Sequence, residues 1–321
     1  MSKVAVIALG GNSLIKDKAH QTVEDQYAAA YESCKHIAEL IESGYNVALT
    51  HGNGPQVGFI LLRSELSRQK IHEVPLDFCG ADTQGALGYS FQQALGNILK
   101  KKGVDKQIVS VVTQVVVDKD DKGFKNPTKP IGEFYTKEEA EERKKASNWD
   151  IAEDSGRGWR RVVASPIPIE IVEEKAIKAL LDQGFVVVSV GGGGIPVIRE
   201  ESGDLKGVAA VIDKDFASSL LASNIKADLF IISTAVEKIY LNFGKEDQKA
   251  LDFVTLDELK KYKEEGHFKK GSMLPKVEAI IKFLENGGQK AIVTNPENIR
   301  KAVEGKTGTH ITVHKEAGVA H

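Results

Sequence analysis

The chain has 321 residues, of which 41% are apolar and 27% charged, enough for one large α/β unit or two lobes that share a cleft. Its 43 lysine and arginine residues nearly balance its 45 aspartate and glutamate residues, which argues against binding to nucleic acid or to a membrane surface. The two cysteines, Cys34 and Cys79, are too few for a disulfide framework or a cysteine-built zinc site, and we expect buried thiols. No stretch approaches the roughly 18 apolar residues of a membrane helix, and the apolar run Val4–Leu9 is too short for a signal peptide, so we expect a cytoplasmic protein.

The first predicted elements alternate between buried strands and an amphipathic helix. A strand over Val4–Leu9 is followed by Gly10-Gly11-Asn12, and an apolar stripe with helical spacing predicts a helix from Thr22 to Ser43. The next strand, Tyr45–Thr50, ends in His51-Gly52-Asn53-Gly54. A strand that ends in glycines and then leads into a helix is typical of a βαβ unit.

The same pattern, a strand followed by a glycine cluster or a turn, recurs later in the chain. A strand is predicted over Phe185–Val190 and is followed by four glycines at 191–194, and a further strand over Lys290–Val293 leads through Thr294-Asn295-Pro296 into a helix. This alternation predicts an α/β fold in three layers, an open and mostly parallel sheet with helices on both faces. In such sheets ligands bind beyond the carboxyl ends of the strands, which is where the glycine clusters fall.

Two segments interrupt the alternation. The charged stretch at about 118–166 is too long for an ordinary loop, and we predict that it forms a small inserted subdomain overhanging a cleft. A second insertion, Pro196–Val208, is predicted to be a hairpin that turns at Ser202-Gly203-Asp204. We divide the single predicted unit into an amino-terminal lobe, 1–184, and a carboxyl-terminal lobe, 185–321.

The glycine clusters point to an anion site. Backbone N–H groups of glycine approach an anion closely, and the amino end of a following helix adds a favourable dipole. Gly10-Gly11-Asn12 and Gly52-Asn53-Gly54 are therefore predicted to hold an oxyanion or a phosphoryl group together. The alternative is that tight turns after strands simply need glycine. Gly305-Lys306-Thr307 is not a P-loop, because the first glycine of that motif is replaced by Arg300.

Phosphoryl transfer needs positioning and positive charge more than covalent chemistry, and three lysines are candidates for that charge. Lys129 lies between prolines, Lys214 lies between Asp213 and Asp215, and Lys276 follows a proline. Each lysine alone could equally be a solvated surface charge, and the two aspartates could be first-turn carboxylates of a helix.

Histidine contributes little to the predicted chemistry. Transfer to an acceptor that is already anionic needs no base, so we interpret His51 as a hydrogen-bonding or structural residue. His310 and His314 lie in or beside a segment with strand alternation and would not share a helix face, so no dedicated metal site is predicted. We expect Mg²⁺ to arrive with a nucleotide.

Six segments in sequence order resemble the carbamate kinases, and they span nearly the whole chain. They are ALGGN (Ala8–Asn12), THGNGPQVG (Thr50–Gly58), PTKPIG (Pro127–Gly132), GRGWRRVVASP (Gly156–Pro166), VIDKDFA (Val211–Ala217) and GSMLPKV (Gly271–Val277). The resemblance implies an amino-acid-kinase fold with an eight-stranded type of sheet, usually as a homodimer. It implies reversible transfer of a phosphoryl group between carbamoyl phosphate and ADP, which gives carbamate and ATP. In many fermenting microbes of this family, that reaction is the last step of arginine breakdown.

The resemblance also implies roles for individual residues. The loops Gly10-Gly11-Asn12 and Gly52-Asn53-Gly54 would hold carbamate and the transferred phosphoryl group in the amino-terminal lobe, and Lys129 would neutralise its charge. Lys276 would stabilise the transition state, Asp215 would orient the lysines, and Lys214 would contact the nucleotide phosphates. The predicted nucleotide-binding residues of the carboxyl-terminal lobe are Gly192, Gly193, Asp213, Lys214, Ser233, Tyr240, Met273, Pro275 and Lys276.

Two departures from related patterns bear on the assignment. Related kinases carry a lysine at the end of the first strand, and Ile7-Ala8-Leu9 has none, which favours a carbamate kinase over acetylglutamate and glutamate kinases. Ser13 stands where the family commonly has alanine. The alternatives are a relative that phosphorylates an amino-acid carboxylate or a nucleoside monophosphate, and a nucleotide-binding regulator without activity.

Overall fold

The computed structural model describes residues 3–15, 17, 19–147, 149–154, 156 and 158–314, without the side chain of Asn12. The strands are β1 (Val4–Leu9), β2 (Asn46–His51), β3 (Ile108–Ser110), β4 (Gln114–Val117), β5 (Lys129–Tyr135), β6 (Asp150–Glu153), β7 (Trp159–Val163), β8 (Pro168–Ile171), β9 (Val186–Val188), β10 (Ile195–Arg199), β11 (Leu205–Gly207), β12 (Leu229–Ser233), β13 (Ile239–Leu241), β14 (Lys249–Leu251), β15 (Phe253–Thr255), β16 (Lys290–Thr294) and β17 (Thr309–Thr312). The helices are α1 (Val23–Glu42), α2 (Gly54–Ser67), α3 (Leu76–Lys101), α4 (Lys122–Lys125), α5 (Lys137–Ser147), α6 (Glu174–Asp182), α7 (Lys214–Asn224), α8 (Leu256–Glu264), α9 (Met273–Glu285) and α10 (Ile299–Val303). Short 3₁₀ turns form at Gly11–Ser13, Gly191–Gly193 and Pro296–Asn298.

Eight strands of the described residues form the central sheet, in the order β15-β17-β16-β12-β1-β2-β9-β3. The six strands from β16 to β3 run parallel, whereas β17 is antiparallel to β16 and β15 runs with β17. The predicted α/β fold with a mostly parallel sheet is therefore confirmed.

Two apolar cores lie on opposite faces of this sheet, because successive side chains of a strand point to opposite faces. In β1, Val6 and Ala8 join the core under α6, α7, α8 and α9, while Ala5, Ile7 and Leu9 join the core under α1, α3 and α10. Every residue of β1 after Val4 is buried, so no polar face is left on this strand. Cys34 and Cys79 are buried free thiols, as expected from their scarcity.

A second sheet, in the order β11-β10-β4-β8, contains the predicted hairpin. β10 and β11 pair antiparallel, with Arg199 opposite Leu205, so the chain turns where the sequence predicts. β13 and β14 form a separate two-stranded ribbon.

The segment predicted to form an inserted subdomain contains a third sheet, β5-β7-β6, with α4 and α5. One of its contacts with the rest of the chain is with α2. A Cβ on Gly58 of α2 would lie 2.2 Å from Cα of Gly132 in β5, so the two backbones touch only because Gly58 has no side chain, while Gly132 has a positive φ of 71° that favours glycine. Beside this contact Val57, Ile131 and Val163 form a small buried cluster. The division of the chain into lobes at residue 184 stays a prediction.

Among the described residues, none of the helices has the length and apolar character required to span a bilayer.

Candidate active site

The carboxyl ends of the parallel strands meet at one edge of the sheet and bring the glycine loops together. In the sheet register Leu9, the last residue of β1, lies beside His51 of β2 on one side and Ser233 of β12 on the other. The N–H of Gly52 donates to the carbonyl of Leu9 at 3.2 Å, and the N–H of Gly10 donates to the carbonyl of Ser233 at 3.0 Å. The predicted meeting of these loops at the strand ends is therefore seen in the structure.

The glycines of these loops fall into two groups, those packed tightly against other backbone and those that face open space. A Cβ on Gly10 would lie 2.9 Å from the Ser233 carbonyl oxygen, so close packing excludes a side chain there. A Cβ on Gly11 or on Gly54 would meet no atom within 4 Å. Gly54 begins α2, whose first-turn N–H groups have no acceptor within the helix. The loops therefore combine packed glycines with open backbone suited to an anion.

The four glycines after β9 lie beneath this edge and are buried. Gly192 has φ +68° and its Cα packs on the side-chain amide of Asn53, while Gly193, with φ +94°, packs on the carbonyl of Ile212. Val190 also has a positive φ of 51°, which is rare for a β-branched residue and ends β9 earlier than predicted. In this position the glycine cluster supports the Asn53 loop, and its predicted contact with nucleotide stays a prediction.

Two lysines lie at the amino ends of helices, where the helix dipole disfavours a cation. Lys214 is the first residue of α7, and Lys276 lies in the first turn of α9. Both donate to Asp215: Lys214 Nζ lies 2.5 Å from Oδ1 and Lys276 Nζ lies 2.9 Å from Oδ2. A single buried carboxylate thus holds two cations beside two helix amino ends, which is a strongly electropositive arrangement.

Burial and pairing have opposite effects on the pKa values of this cluster. Burial alone raises the pKa of the Asp215 carboxyl, but Lys214 and Lys276 outweigh burial and hold that pKa below its usual range. Burial lowers the pKa of Lys276, but Asp215 outweighs it, so this pKa lies above its ordinary value. For Lys214 burial prevails over the attraction of Asp215 and lowers the pKa. The carboxylate is therefore ionised at neutral pH and can orient both ammonium groups.

Lys129 reaches the same region from β5 of the inserted segment. Its Nζ donates to Oδ2 of Asp213 at 2.6 Å, and Oδ1 of Asp213 caps α7 by accepting the N–H of Asp215 at 2.9 Å. The aliphatic chain of Lys214 passes along Gly52, since a Cβ there would lie 3.4 Å from Lys214 Cδ. The three predicted lysines and two aspartates therefore gather beside the Gly52 loop, with one net positive charge.

His51 is a neutral structural residue in this site, as the sequence indicates. It is buried, its Nδ1–H donates to the carbonyl of Gly52 at 3.1 Å, and its ring lies 5.5 Å from that of Phe91. Burial lowers the pKa of His51 to about 4, so it carries no charge at neutral pH.

Sequence reasoning missed the polar residues that hold the loops in place. Gln84 of α3 donates to the carbonyl of Gly191 at 2.9 Å and accepts the N–H of Thr113 at 2.7 Å, and Thr83 accepts the Asn53 amide at 2.8 Å. The hydroxyl groups of Thr50 and Ser218 share a 2.6 Å hydrogen bond that joins β2 to α7. Polar residues buried on helical faces give the only signal of this network in the sequence.

Apart from Gly192, Gly193, Asp213 and Lys214, the residues predicted to bind nucleotide lie on β12, β13 and α9. Ser233 is buried at the end of β12, and Tyr240 of β13 is half-buried with its ring 5.7 Å from that of Phe243. Met273 and Pro275 are half-buried in the first turn of α9, beside Lys276. Of the predicted substrate residues, the Asn12 side chain lies outside the described part of the structure.

Comparisons with known proteins agree with this geometry. The sequence profile of the Amino acid kinase family matches residues 3–295. The "Carbamate kinase-like protein YahI" of Escherichia coli (strain K12) is 52% identical over 314 residues, which cover 97% of this chain and 99% of that protein. The carbamate kinase of Thermococcus kodakarensis is 50% identical over 312 residues, covering 96% and 99%. The solved structure "Carbamate kinase from Giardia lamblia bound to AMP-PNP" superposes with a TM-score of 0.90 at 42% identity, covering 97% and 98% of the two chains.

Proposed function

This chain belongs to the amino acid kinase family, and we propose that it is a carbamate kinase, which transfers a phosphoryl group reversibly between carbamoyl phosphate and ADP to give carbamate and ATP. Relatives named carbamate kinase, about half identical over nearly the full chain, support the reaction class and the substrates.

The observation that carries the proposal is the lysine and aspartate cluster. Asp215 holds Lys214 and Lys276 at the amino ends of α7 and α9, and Lys129 approaches from the inserted segment. A transferring phosphoryl group spreads negative charge over its oxygens, and fixed cations and N–H groups stabilise that charge without reorganising. Since the acceptor carbamate is already anionic, the reaction needs no general base, which suits a site whose histidine is neutral and buried.

Each part of the cluster has its own task in the proposed mechanism. The Gly10 and Gly52 loops bind carbamate and the phosphoryl group through backbone N–H groups, and Lys129 neutralises the phosphoryl oxygens from the carbamate side. Lys276 stabilises the transition state from the nucleotide side, and Lys214 binds the nucleotide phosphates. Asp215 keeps both of these lysines in place.

The absence of a lysine at the end of β1 favours carbamate as the acceptor. Ile7, Ala8 and Leu9 are fully buried in the apolar cores, so this strand offers no cation to the phosphoryl group. That charge is instead supplied by Lys129.

The nucleotide binds on the opposite lobe in our proposal. Ser233, Tyr240, Met273 and Pro275 line the adenine and ribose pocket, with Gly192, Gly193 and Asp213 nearby. The Giardia lamblia relative that was solved with AMP-PNP supports binding of an adenine nucleotide.

Mg²⁺ enters with the nucleotide phosphates in this proposal and neutralises part of their charge. Asp213 and Asp215 are both engaged by lysines. Within the described residues no group of three or more His, Cys, Asp or Glu side chains is arranged to hold a metal ion.

A homodimer is part of the proposal, and exposed apolar side chains on and near α3 support it. Phe78 and Tyr89 of α3 are 61% and 62% exposed, and Val112 and Ile169 are each 56% exposed. Beside α3, strand β3 forms an edge of the central sheet. Light scattering on purified protein, with Tyr89→Glu as the disrupting variant, tests whether α3 lies in a dimer interface. Cytoplasmic location and a role at the end of arginine breakdown stay predictions.

The test of function is ATP formation from MgADP and freshly prepared carbamoyl phosphate, coupled to luciferase. We expect rapid ATP formation, and at least about 100-fold less from acetyl phosphate, because that analogue lacks the amino group. ATP no faster than the uncatalysed background, from protein that still binds ADP, would favour another acceptor or a regulatory role.

A further inference from the structure

Asp213 connects the inserted segment to α7 through both of its carboxylate oxygens. Oδ2 accepts from Lys129 Nζ at 2.6 Å, and Oδ1 accepts the N–H of Asp215 at 2.9 Å. The same carboxylate thus fixes Lys129 and the amino end of the helix that carries Lys214 and Asp215. One side chain therefore links Lys129 to the helix end that carries Lys214.

The ion pair of Lys129 with Asp213 lies where the sheet of the inserted segment meets the residues before α7. Lys129 begins β5 and is paired in register with Val163 of β7, and the next residue, Ala164, accepts the N–H of Val211 at 2.9 Å. Val211 lies two residues before Asp213. The paired ends of β5 and β7 are therefore joined to residues 211–213 by two neighbouring contacts, a main-chain hydrogen bond and an ion pair.

Beyond the contact of Gly58 with Gly132, the inserted segment and α2 leave an open pocket. This pocket has a volume of about 240 Å³ and is lined among others by Leu61, Tyr135, Trp149 and Arg161. The start of β5 is held by the buried side chain of Ile131, by its pairing with β7 and by the ion pair of Lys129 with Asp213. Of these contacts, only the ion pair acts on the lysine ammonium group itself.

We propose that Asp213 is a positioning residue, which sets the place of the Lys129 ammonium group in the cleft and is not itself a ligand of the nucleotide. This inference rests on the proposed function, in which Lys129 meets the transferred phosphoryl group. Asp213 takes one of the three N–H donors of Lys129 and leaves two for phosphoryl oxygens. Without Asp213 the ammonium group keeps its charge and loses its fixed position.

The ionisation of Asp213 agrees with this role. Burial raises the pKa of its carboxyl, but Lys129 outweighs burial and holds the pKa below its usual value. The side chains of Asp213 and Lys129 are 20% and 28% exposed, so the pair is shielded while the lysine still reaches the cleft.

Asp213→Asn separates positioning from helix capping, because asparagine caps a helix as well as aspartate does. The variant keeps the α7 cap and loses the charge that holds Lys129. We expect kcat to fall by about 10-fold or more, while the KM for ADP and the melting temperature stay close to those of the wild type. Asp213→Ala also loses the cap and should melt at a lower temperature than Asp213→Asn.

Asp120→Asn is the matched control. Asp120 lies in the same inserted segment and pairs with Lys119 at 3.6 Å, with 77% of its side chain exposed. Its kinetics should match those of the wild type. A kcat for Asp213→Asn within twofold of the wild type would overturn the proposal. So would a raised KM for ADP with unchanged kcat, since that pattern would make Asp213 a nucleotide ligand.

A second readout keeps this test separate from the test of function. Acylation of lysines by an N-hydroxysuccinimide ester, followed by peptide mapping, reports how accessible Lys129 is. We expect Lys129 to react several-fold faster in Asp213→Asn, with Lys119 unchanged. If the wild type makes no ATP, the proposed function fails, and the labelling still decides whether Asp213 holds Lys129. Equal labelling in the two proteins would overturn the ion pair itself.

Discussion

Replacing Asp215 with asparagine removes the carboxylate on which two buried lysines depend. Lys214 and Lys276 donate to different oxygens of Asp215, at 2.5 Å and 2.9 Å. In the asparagine variant one of these positions becomes an amide N–H₂ group, which faces an ammonium donor with another donor. One lysine is then left without its partner in a region that water barely reaches.

The structure sets the expected size of the effect. Removing one partner of a buried ion pair costs about 3–5 kcal/mol. The Asp215 side chain is 4% exposed, but Lys214 and Lys276 keep 11% and 16% exposure, so water screens part of the unpaired charge. We therefore expect the lower end, a loss of about 3 kcal/mol in the free energy of unfolding, and a fall of about 10²- to 10³-fold in kcat.

Urea unfolding followed by circular dichroism measures the first quantity, and ATP formation measures the second. The control is Asp182→Asn, which removes the partner of Lys178 at a site where the aspartate is 58% exposed, and should change stability by less than about 0.5 kcal/mol. Saturating ADP should stabilise Asp215→Asn more than the wild type, because nucleotide phosphates replace the lost negative charge. An unfolding midpoint for Asp215→Asn equal to that of the control would refute this account of the cluster.

Variants of Lys129, Gly58 and His51 test three other parts of the structure. Lys129→Met should lower kcat by about 10²-fold or more, because this lysine meets the phosphoryl group from the carbamate side. The Kd for ADP, measured by calorimetry, should stay within about twofold of the wild-type value. A Kd that rises in step with the loss of kcat would show that Lys129 binds the nucleotide. Gly58→Ala should destabilise the protein by about 1–3 kcal/mol in thermal unfolding, since its Cβ would lie 2.2 Å from Cα of Gly132, whereas Gly80→Ala in open space should not destabilise it. Burial lowers the pKa of His51 from 6.5 to about 4, so between these pH values the unfolded chain binds more protons than the folded protein. The free energy of unfolding should therefore fall by about 3 kcal/mol as the pH is lowered from 6.5 to 4. A His51→Asn variant with the same pH dependence of stability as the wild type would contradict this.

Much of the fold was predictable because its strands and helices carry local signals. The apolar run Val4–Leu9 forms β1, with the bounds predicted for it. The capping box of Thr22 and Asp25 marks the start of α1, and both of its hydrogen bonds form. The strand predicted to run to Val190 ends at Val188, because Val190 adopts a left-handed conformation that hydrophobicity does not reveal.

The parts that were not predicted depend on contacts between distant segments. The sheet containing β4, β8, β10 and β11 pairs strands from three regions of the chain, and no local pattern specifies that pairing. The contact of Gly58 with Gly132 is likewise invisible in the sequence, since each glycine alone has an ordinary local explanation.

The site shows the same division between local and distant information. Residue type and local context made Lys129, Lys214 and Lys276 candidate cations, and the family resemblance implied that Asp215 orients lysines. In the structure Asp215 binds Lys214 and Lys276, and Lys129 lies nearby on Asp213. The sequence does not show that Lys129 pairs with Asp213 and not with Asp215. Both aspartates are neighbours of Lys214 in the sequence, and only the geometry at the start of α7 points their side chains in different directions.

In our proposal the lysine and aspartate cluster moves a phosphoryl group from carbamoyl phosphate to ADP, and ³¹P NMR follows that transfer directly. Purified wild-type protein with MgADP and carbamoyl phosphate should replace the carbamoyl phosphate resonance with that of the γ-phosphate of ATP, and Lys129→Met should not do so within the same time. Loss of carbamoyl phosphate to inorganic phosphate alone, or equal ATP formation by the Lys129→Met variant, would contradict the account.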